Sequence, residues 1–146
     1  MYKSWNRVQR EKNKIFFSFS EMSSLEDEFI ACSRPILQRG QGGCSDRVLR
    51  FRYLSTFGIE PKVTVALWNA ILESRLFTHD ILKVHLLWTL MFLKVYSNIG
   101  ILSNMADCDV KTYRDWTWKV ILVIDSLYDT KVSLNSHLNV CFSLSH

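Results

Sequence analysis

Two groups of side chains in this sequence have types and spacings that bear on chemistry. The first holds the acid–base and metal-ligating types. His79 and His85 are six apart, so they do not share a helix face as a ligand pair four apart would. His85 lies inside an apolar run and reads as a core residue. Asp107, Asp109 and Asp115 cluster near a helix corner, where capping and solvation account for them. Cys32, Cys44, Cys108 and Cys141 stand far apart with no CxxC pair. That lacks the close ligand pairs of a zinc site and reads as four reduced thiols. No nucleophile motif is present. The reading is therefore not an enzyme, with no catalytic residue, no metal ligand, no cofactor and no small-molecule substrate. The second group is a set of donors: Lys111, Thr112, Arg114 and Lys119 along one helix, Arg47 and Arg50 on another. Lys and Arg so placed meet phosphates, an Arg can read a guanine edge, and a Thr hydroxyl is a neutral donor. These six are the candidate DNA-binding residues, and double-stranded DNA is the expected partner. Between Asp107 and Lys119, three acids and three bases cancel. Major-groove readers usually show a clearer basic surface. A helical protein-interaction or vestigial domain without a ligand is thus the alternative.

Several elements must position these residues. Thr78 to Ser97 is the central one. Ile81, Val84, Trp88, Met91, Phe92 and Val95 recur at helical steps, with Leu82, Leu86, Leu90 and Leu93 beside them. Only Lys83, Thr89, Lys94 and Ser97 leave a polar strip. Such a helix must be surrounded, and Thr78 or Asp80 is its expected cap. After it, Asn98 caps a short helix carrying Ile101, Leu102 and Met105. Ala106 to Cys108 turn, and Asp109 caps a longer helix whose inward face is Tyr113, Trp116, Val120, Ile124 and Leu127. A short helix, a tight turn and an amphipathic helix make a helix-turn-helix corner, which many helical proteins contain and which by pattern alone reads as plain packing before it reads as a DNA contact. Trp88 and Trp116 are expected to be buried against each other's helices.

Upstream, Ser45 caps a helix with Val48, Leu49, Phe51, Tyr53, Leu54 and Phe57 as its apolar face and Gly58 past its end. Arg47, Arg50 and Arg52 are expected on its exposed side. The next helix opens at Pro61 and runs to about Leu76. A short acidic helix from Ser24 to about Cys32 is expected to end at Pro35. Gln38 to Gly43, with three Gly in six residues, is the clearest linker. Residues 1–14 are expected to be a basic, flexible arm, with a weak nuclear-import signal or a phosphate-contacting arm as the alternative, and the IFFSF that follows is too short for a signal peptide. At the other end, Leu138, Val140, Phe142 and Leu144 alternate with polar residues at strand period, without a partner strand.

With 146 residues, 48% hydrophobic and 22% charged, the chain has a globular composition. Five Gly and two Pro are too few for a turn-rich β fold. The expected fold class is all-α: a small helical bundle with a helix-turn-helix corner, a flexible N-terminal arm and an irregular C-terminal tail. The expected division is an arm, short helix and linker over 1–43, a helical domain over 44–128 and a tail over 129–146. No secretion signal or membrane span is read, so the expected location is nucleus or cytoplasm. The net charge of +4 permits nucleic-acid binding without requiring it.

The blocks FRYLSTFG (Phe51 to Gly58), WNAIL (Trp68 to Leu72), HLLWTLMFLKVY (His85 to Tyr96) and KTYRDWTW (Lys111 to Trp118) resemble the N-terminal helix-turn-helix region of Harbinger-type DDE-superfamily transposase-like proteins, especially algal and other protist forms. The resemblance covers about Arg50 to Leu127, and its last two blocks are the specific ones. It implies a helical region that contacts transposon ends, ahead of an RNase-H-like catalytic domain with three metal-binding acids. The similarity stops near Asp129, and the remaining residues are too few for that domain. No catalytic acid carries over, and the resemblance implies a truncated copy.

Overall fold

A helix that is apolar around most of its circumference needs neighbours on every side, and the helix containing Trp88 has them. The computed structural model describes residues 23–38 and 43–143, with 130–143 as backbone only. Six helices lie among the described residues: α1 at 23–37, α2 at Asp46–Phe57, α3 at Pro61–Leu72, α4 at Lys83–Val95, α5 at Ile99–Ala106 and α6 at Val110–Ser143. There is no strand among them, and the architecture is an all-α bundle. α4 packs against α2, α5 and α6, and every residue from His85 to Met91 is buried. Around it the core gathers Phe29 and Ile36 from α1, Tyr53 and Phe57 from α2, and Val65, Trp68 and Ile71 from α3. Leu102 comes from α5, and Tyr113, Val120 and Val123 from α6. Two buried tyrosines tie pairs of helices. The Tyr53 hydroxyl donates to Thr64 Oγ1 across α2 and α3 at 3.0 Å. The Tyr113 hydroxyl donates to the Trp88 carbonyl across α6 and α4 at 2.8 Å.

The elements depart from the sequence reading at their ends and faces. α4 begins after Leu82, not at Thr78. The preceding residues form a turn closed by the Ile81 N–H on the Thr78 carbonyl at 3.0 Å, which tucks Ile81 into the core. Neither Thr78 nor Asp80 caps the helix. His85 does so from inside it, its Nδ1 accepting the Leu82 N–H at 3.0 Å. Thr89, read as part of a polar strip, is fully buried, because its hydroxyl donates to the His85 carbonyl of its own helix at 2.9 Å. α1 does not stop at Pro35 but runs to residue 37. A proline in the last turn removes one N–H, while the Gln38 N–H still reaches the Arg34 carbonyl at 2.9 Å. α3 ends at Leu72, short of Leu76.

On α2 only Leu49, Tyr53 and Phe57 face inward, whereas Phe51 is 71% exposed. On α6 the buried line is Tyr113, Thr117, Val120 and Val123, and Trp116, Ile124 and Leu127 pack at its margin. Residues 138–143 are helical despite their alternation, because α6 continues through Ser143. A lone strand would leave its backbone groups unpaired, while a continuing helix satisfies them internally. Of the expected division, residue 128 falls inside α6. α1, expected outside the helical domain, places Phe29 edge-on to Trp68 with centroids 6.0 Å apart. The basic arm, IFFSF, most of the Gly-rich linker (39–42) and residues 144–146 lie outside the described residues.

Gly58 ends α2 at φ 81°, its N–H on the Leu54 carbonyl. A Cβ there would sit 3.1 Å from Cδ of Lys94, a flexible stem. The backbone strain therefore decides the outcome, and Gly58→Ala should cost about 1–2 kcal/mol. Urea denaturation measures it. A loss under about 0.5 kcal/mol would be too small for a residue held in the left-handed region.

Candidate nucleic-acid interface

The corner that carries four of the six candidate residues is built by short polar contacts. Asn98 caps α5, its Oδ1 accepting the Gly100 N–H at 2.7 Å. α5 ends on Asp107 in the left-handed region, φ 57°, and the Cys108 N–H returns to the Ser103 carbonyl at 3.1 Å. Asp109 then starts α6. Its Oδ1 accepts the Thr112 N–H at 2.9 Å and its Oδ2 accepts the Thr112 hydroxyl. These bonds hold the Asp109 carboxyl below the ordinary carboxylate range, the hydroxyl contributing most. α5 packs on α6, and both pack on α4.

On this frame Lys111 and Arg114 stand outward in the first two turns of α6, their side chains 81% and 50% exposed. Asp115 lies between them. Lys111 Nζ is 3.9 Å from Asp115 Oδ2, and Arg114 Nε is 3.7 Å from Asp115 Oδ1. Such exposed pairs contribute little to stability, yet the carboxylate halves the local positive charge. Thr112 sits beside them, with its hydroxyl engaged in the Asp109 cap. Lys119 is on the same helix but turned to another task. Its ammonium donates to Asp80 Oδ2 at 2.6 Å and lies 4.7 Å from the centre of the Trp116 ring. Arg47 and Arg50 are exposed on α2, and Arg50 Nη1 is 3.9 Å from Glu26 Oε2 of α1. α4 packs on both α2 and α6. The structure thus brings Lys111, Thr112 and Arg114 together and puts Arg47 and Arg50 on a separate helix.

Lys119 belongs to a stacked cluster. The His85 ring lies parallel to Trp116, with centroids 4.0 Å apart and planes 10° apart. Asp80 is held at a pKa of about 2, chiefly by the Lys119 hydrogen bond and then by Thr78. Burial pushes His85 down to about 4, with the Asp80 charge opposing and the Lys119 charge assisting. His85 is therefore neutral in the fold at pH 7, as its role as acceptor for Leu82 requires.

Other chemistry is sparse. Among the described residues no group of three or more His, Cys, Asp or Glu side chains is placed to hold a metal ion. Burial raises the Cys32 and Cys108 thiols, the reverse of what a reactive thiolate needs. A cleft of about 280 Å³ between α1 and α2 is lined by Asp27, Arg34, Asp46 and Arg50 among others. Its charges balance, and no nucleophile lines it. No described helix is long and apolar enough to cross a membrane. Sequence reasoning missed the outer face of α6, where Trp118 is 51% and Leu122 61% exposed. Helical numbering from Tyr113 and Val120 puts both on the far side, so the signal was present. Comparison of the chain with protein-family models, curated proteins and solved structures finds no match.

Proposed function

We propose that this domain is a DNA-binding module that engages duplex DNA through the first two turns of α6. The observation that carries the reading is the α5–turn–α6 corner, which presents Lys111 and Arg114 outward at the N-terminal end of a long helix. Residues there reach the groove in helix-turn-helix proteins, and the positive end of the helix dipole favours phosphate. The likeness of Lys111 to Trp118 to a transposase N-terminal region supports the same segment. In this reading Lys111 and Arg114 make the contact, and Thr112 adds a neutral donor once its hydroxyl leaves Asp109. Arg47 and Arg50 supply phosphate contacts from α2. Lys119 acts indirectly, by fixing the 78–82 turn to α6. Asp115 opposes phosphate and faces solvent or a cytosine edge. No catalytic step is assigned to the chain, and the nucleus is the compartment that a DNA partner implies.

Affinity for a random duplex pool, titrated at several salt concentrations, tests this. Wild type should bind with a salt-dependent slope. Lys111→Ala and Arg114→Ala should each lower that slope by about 1 if the lost contact is to phosphate. Asp115→Asn should tighten binding to every sequence. If both alanine variants bind as wild type does, α6 is not the reader. If wild type shows no salt-sensitive binding at micromolar concentration, the module does not bind DNA. One observation favours a second reading, a protein-interaction domain: Tyr96, 87% exposed, stacks near Phe92, and Phe92 lies 6.3 Å from Trp118. Aromatic surface of this kind is common at protein interfaces.

A further inference from the structure

The outward face of α6 has an order that the DNA reading does not use. Lys111, Trp118, Leu122 and Asp129 follow one another at steps of seven, four and seven, which keeps them on one line of the helix. All four are exposed, opposite the buried line of Tyr113, Val120 and Val123. Along that line the chemistry runs from cationic (Lys111, with Arg114 beside it) through apolar (Trp118, Leu122) to anionic (Asp129, with Asp125 beside it). Such a gradient is its own complement when reversed. An antiparallel copy centred level with Val120 brings Lys111 opposite Asp129 and Trp118 opposite Leu122, each twice by symmetry. Arg114 comes within one residue of the level of Asp125. Only Asp115 is misplaced, since it falls level with Asp125 in the same register.

We infer that this face of α6 binds a second copy of the chain, in an antiparallel, two-fold pairing of the two α6 helices. A two-fold interface requires one patch to complement itself, and the charge order along the helix does so. The apolar centre supplies burial, and the charged ends set direction and register. The Lys111–Asp115 and Arg114–Asp115 separations of 3.9 and 3.7 Å leave both cations loosely held, so their exchange to a partner's carboxylates sacrifices little. The inference goes beyond the DNA reading and stands without it. Where both hold, a duplex and a second copy compete for Lys111 and Arg114.

Sedimentation of the full chain without DNA, from micromolar to several hundred micromolar at low and high salt, tests it. Wild type should rise with concentration from the monomer mass towards twice that mass, less so at high salt. Leu122→Asp should stay monomeric, with helical circular dichroism and melting unchanged because the side chain is exposed. Lys111→Asp should weaken association, and Lys111→Asp with Asp129→Lys should restore it, since the swap preserves the pairing in this register alone. Asp115→Asn should strengthen it. A wild type that stays monomeric throughout, a Leu122→Asp chain that associates as wild type does, or a charge swap no better than its single variant overturns the inference. The sedimentation contains no DNA, so a failure there overturns the pairing alone, and a failure of the duplex titration overturns the DNA reading alone.

Discussion

Trp88→Ala is expected to destabilise the domain by about 3–5 kcal/mol, the largest effect of any single truncation considered for this fold. Trp88 is 8% exposed and contacts the rings of His85 and Tyr113 at centroid distances of 5.1 and 5.7 Å. Its loss opens a cavity at the α4–α6 contact. The change to Phe separates two contributions. Trp88 Nε1 is buried without a hydrogen-bond partner among the described atoms, and an unmade bond of that kind costs about 1–3 kcal/mol. Trp88→Phe removes that burden together with part of the ring, so its net cost should stay within about 1 kcal/mol. Trp116→Ala should lose less than Trp88→Ala. Trp116 is only partly buried, and its main contacts are the His85 stack and the Lys119 ammonium. Chemical denaturation of the three variants would show this order. Equal losses for Trp88→Ala and Trp116→Ala would mean that Trp116 contributes to the α4–α6 contact as much as the buried Trp88 does.

The second large effect is a fall in stability with acid, set by His85. Its ordinary pKa of 6.5 drops to about 4 in the fold. Above pH 6.5 the imidazole is neutral in both states, and its contribution is complete. As pH falls from 6.5 to 4 the unfolded chain takes up a proton that the folded chain refuses, so stability declines, and below 4 the contribution is gone. At 1.36 kcal/mol per pH unit the shift sets an upper bound of about 3 kcal/mol, which solvent screening of the half-buried ring lowers. Protonation would also remove the acceptor that Nδ1 offers to Leu82, uncapping α4. Asp80 titrates lower, between 3.8 and about 2, so the two windows follow one another. His85→Gln keeps an acceptor three residues into the helix, the position from which Gln caps well, and removes the titration. Urea midpoints from pH 4 to 8 should fall with acid in wild type more steeply than in His85→Gln. Identical slopes would show that His85 does not carry the dependence.

The sequence was most legible where one helix decides its own structure. The run around Trp88 had an unmistakable period, and the Asn98 and Asp109 caps marked the α5–turn–α6 corner, because capping is a contact between near neighbours. Legibility failed where a partner comes from far along the chain or from an unusual place. The start of α4 was misplaced because its cap is a histidine inside the helix, not an upstream Thr or Asp. Thr89 looked polar, but a hydroxyl that bonds to its own helix backbone is free to be buried. Phe51 counted as core, although it lies two residues from Tyr53 and so on the opposite side of the helix, where Val48, Phe51 and Leu54 form a second apolar line; which of the two lines is buried is settled by the neighbouring helices. In the candidate interface, the grouping of Lys111, Thr112 and Arg114 could be read from spacing. The withdrawal of Lys119 could not, since Asp80 lies 39 residues away. The shielding of Lys111 by Asp115 could have been read, as the two are four apart on a helix.

The enclosure of α4 also governs how the chain is made. Its covering helices come from both directions in the sequence, α2 before it and α5 and α6 after it. Neither half of the chain can therefore close a core alone. Synthesis proceeds from the N-terminus, and domains fold as units. While α6 is still inside the ribosome, α4 has left with the side that bears Trp88 uncovered. The bond from Tyr113 to the Trp88 carbonyl can form only once α6 is available. Until then the tryptophan-bearing side of α4 stays uncovered, and exposed apolar surface of that kind is what makes incompletely folded chains prone to aggregate.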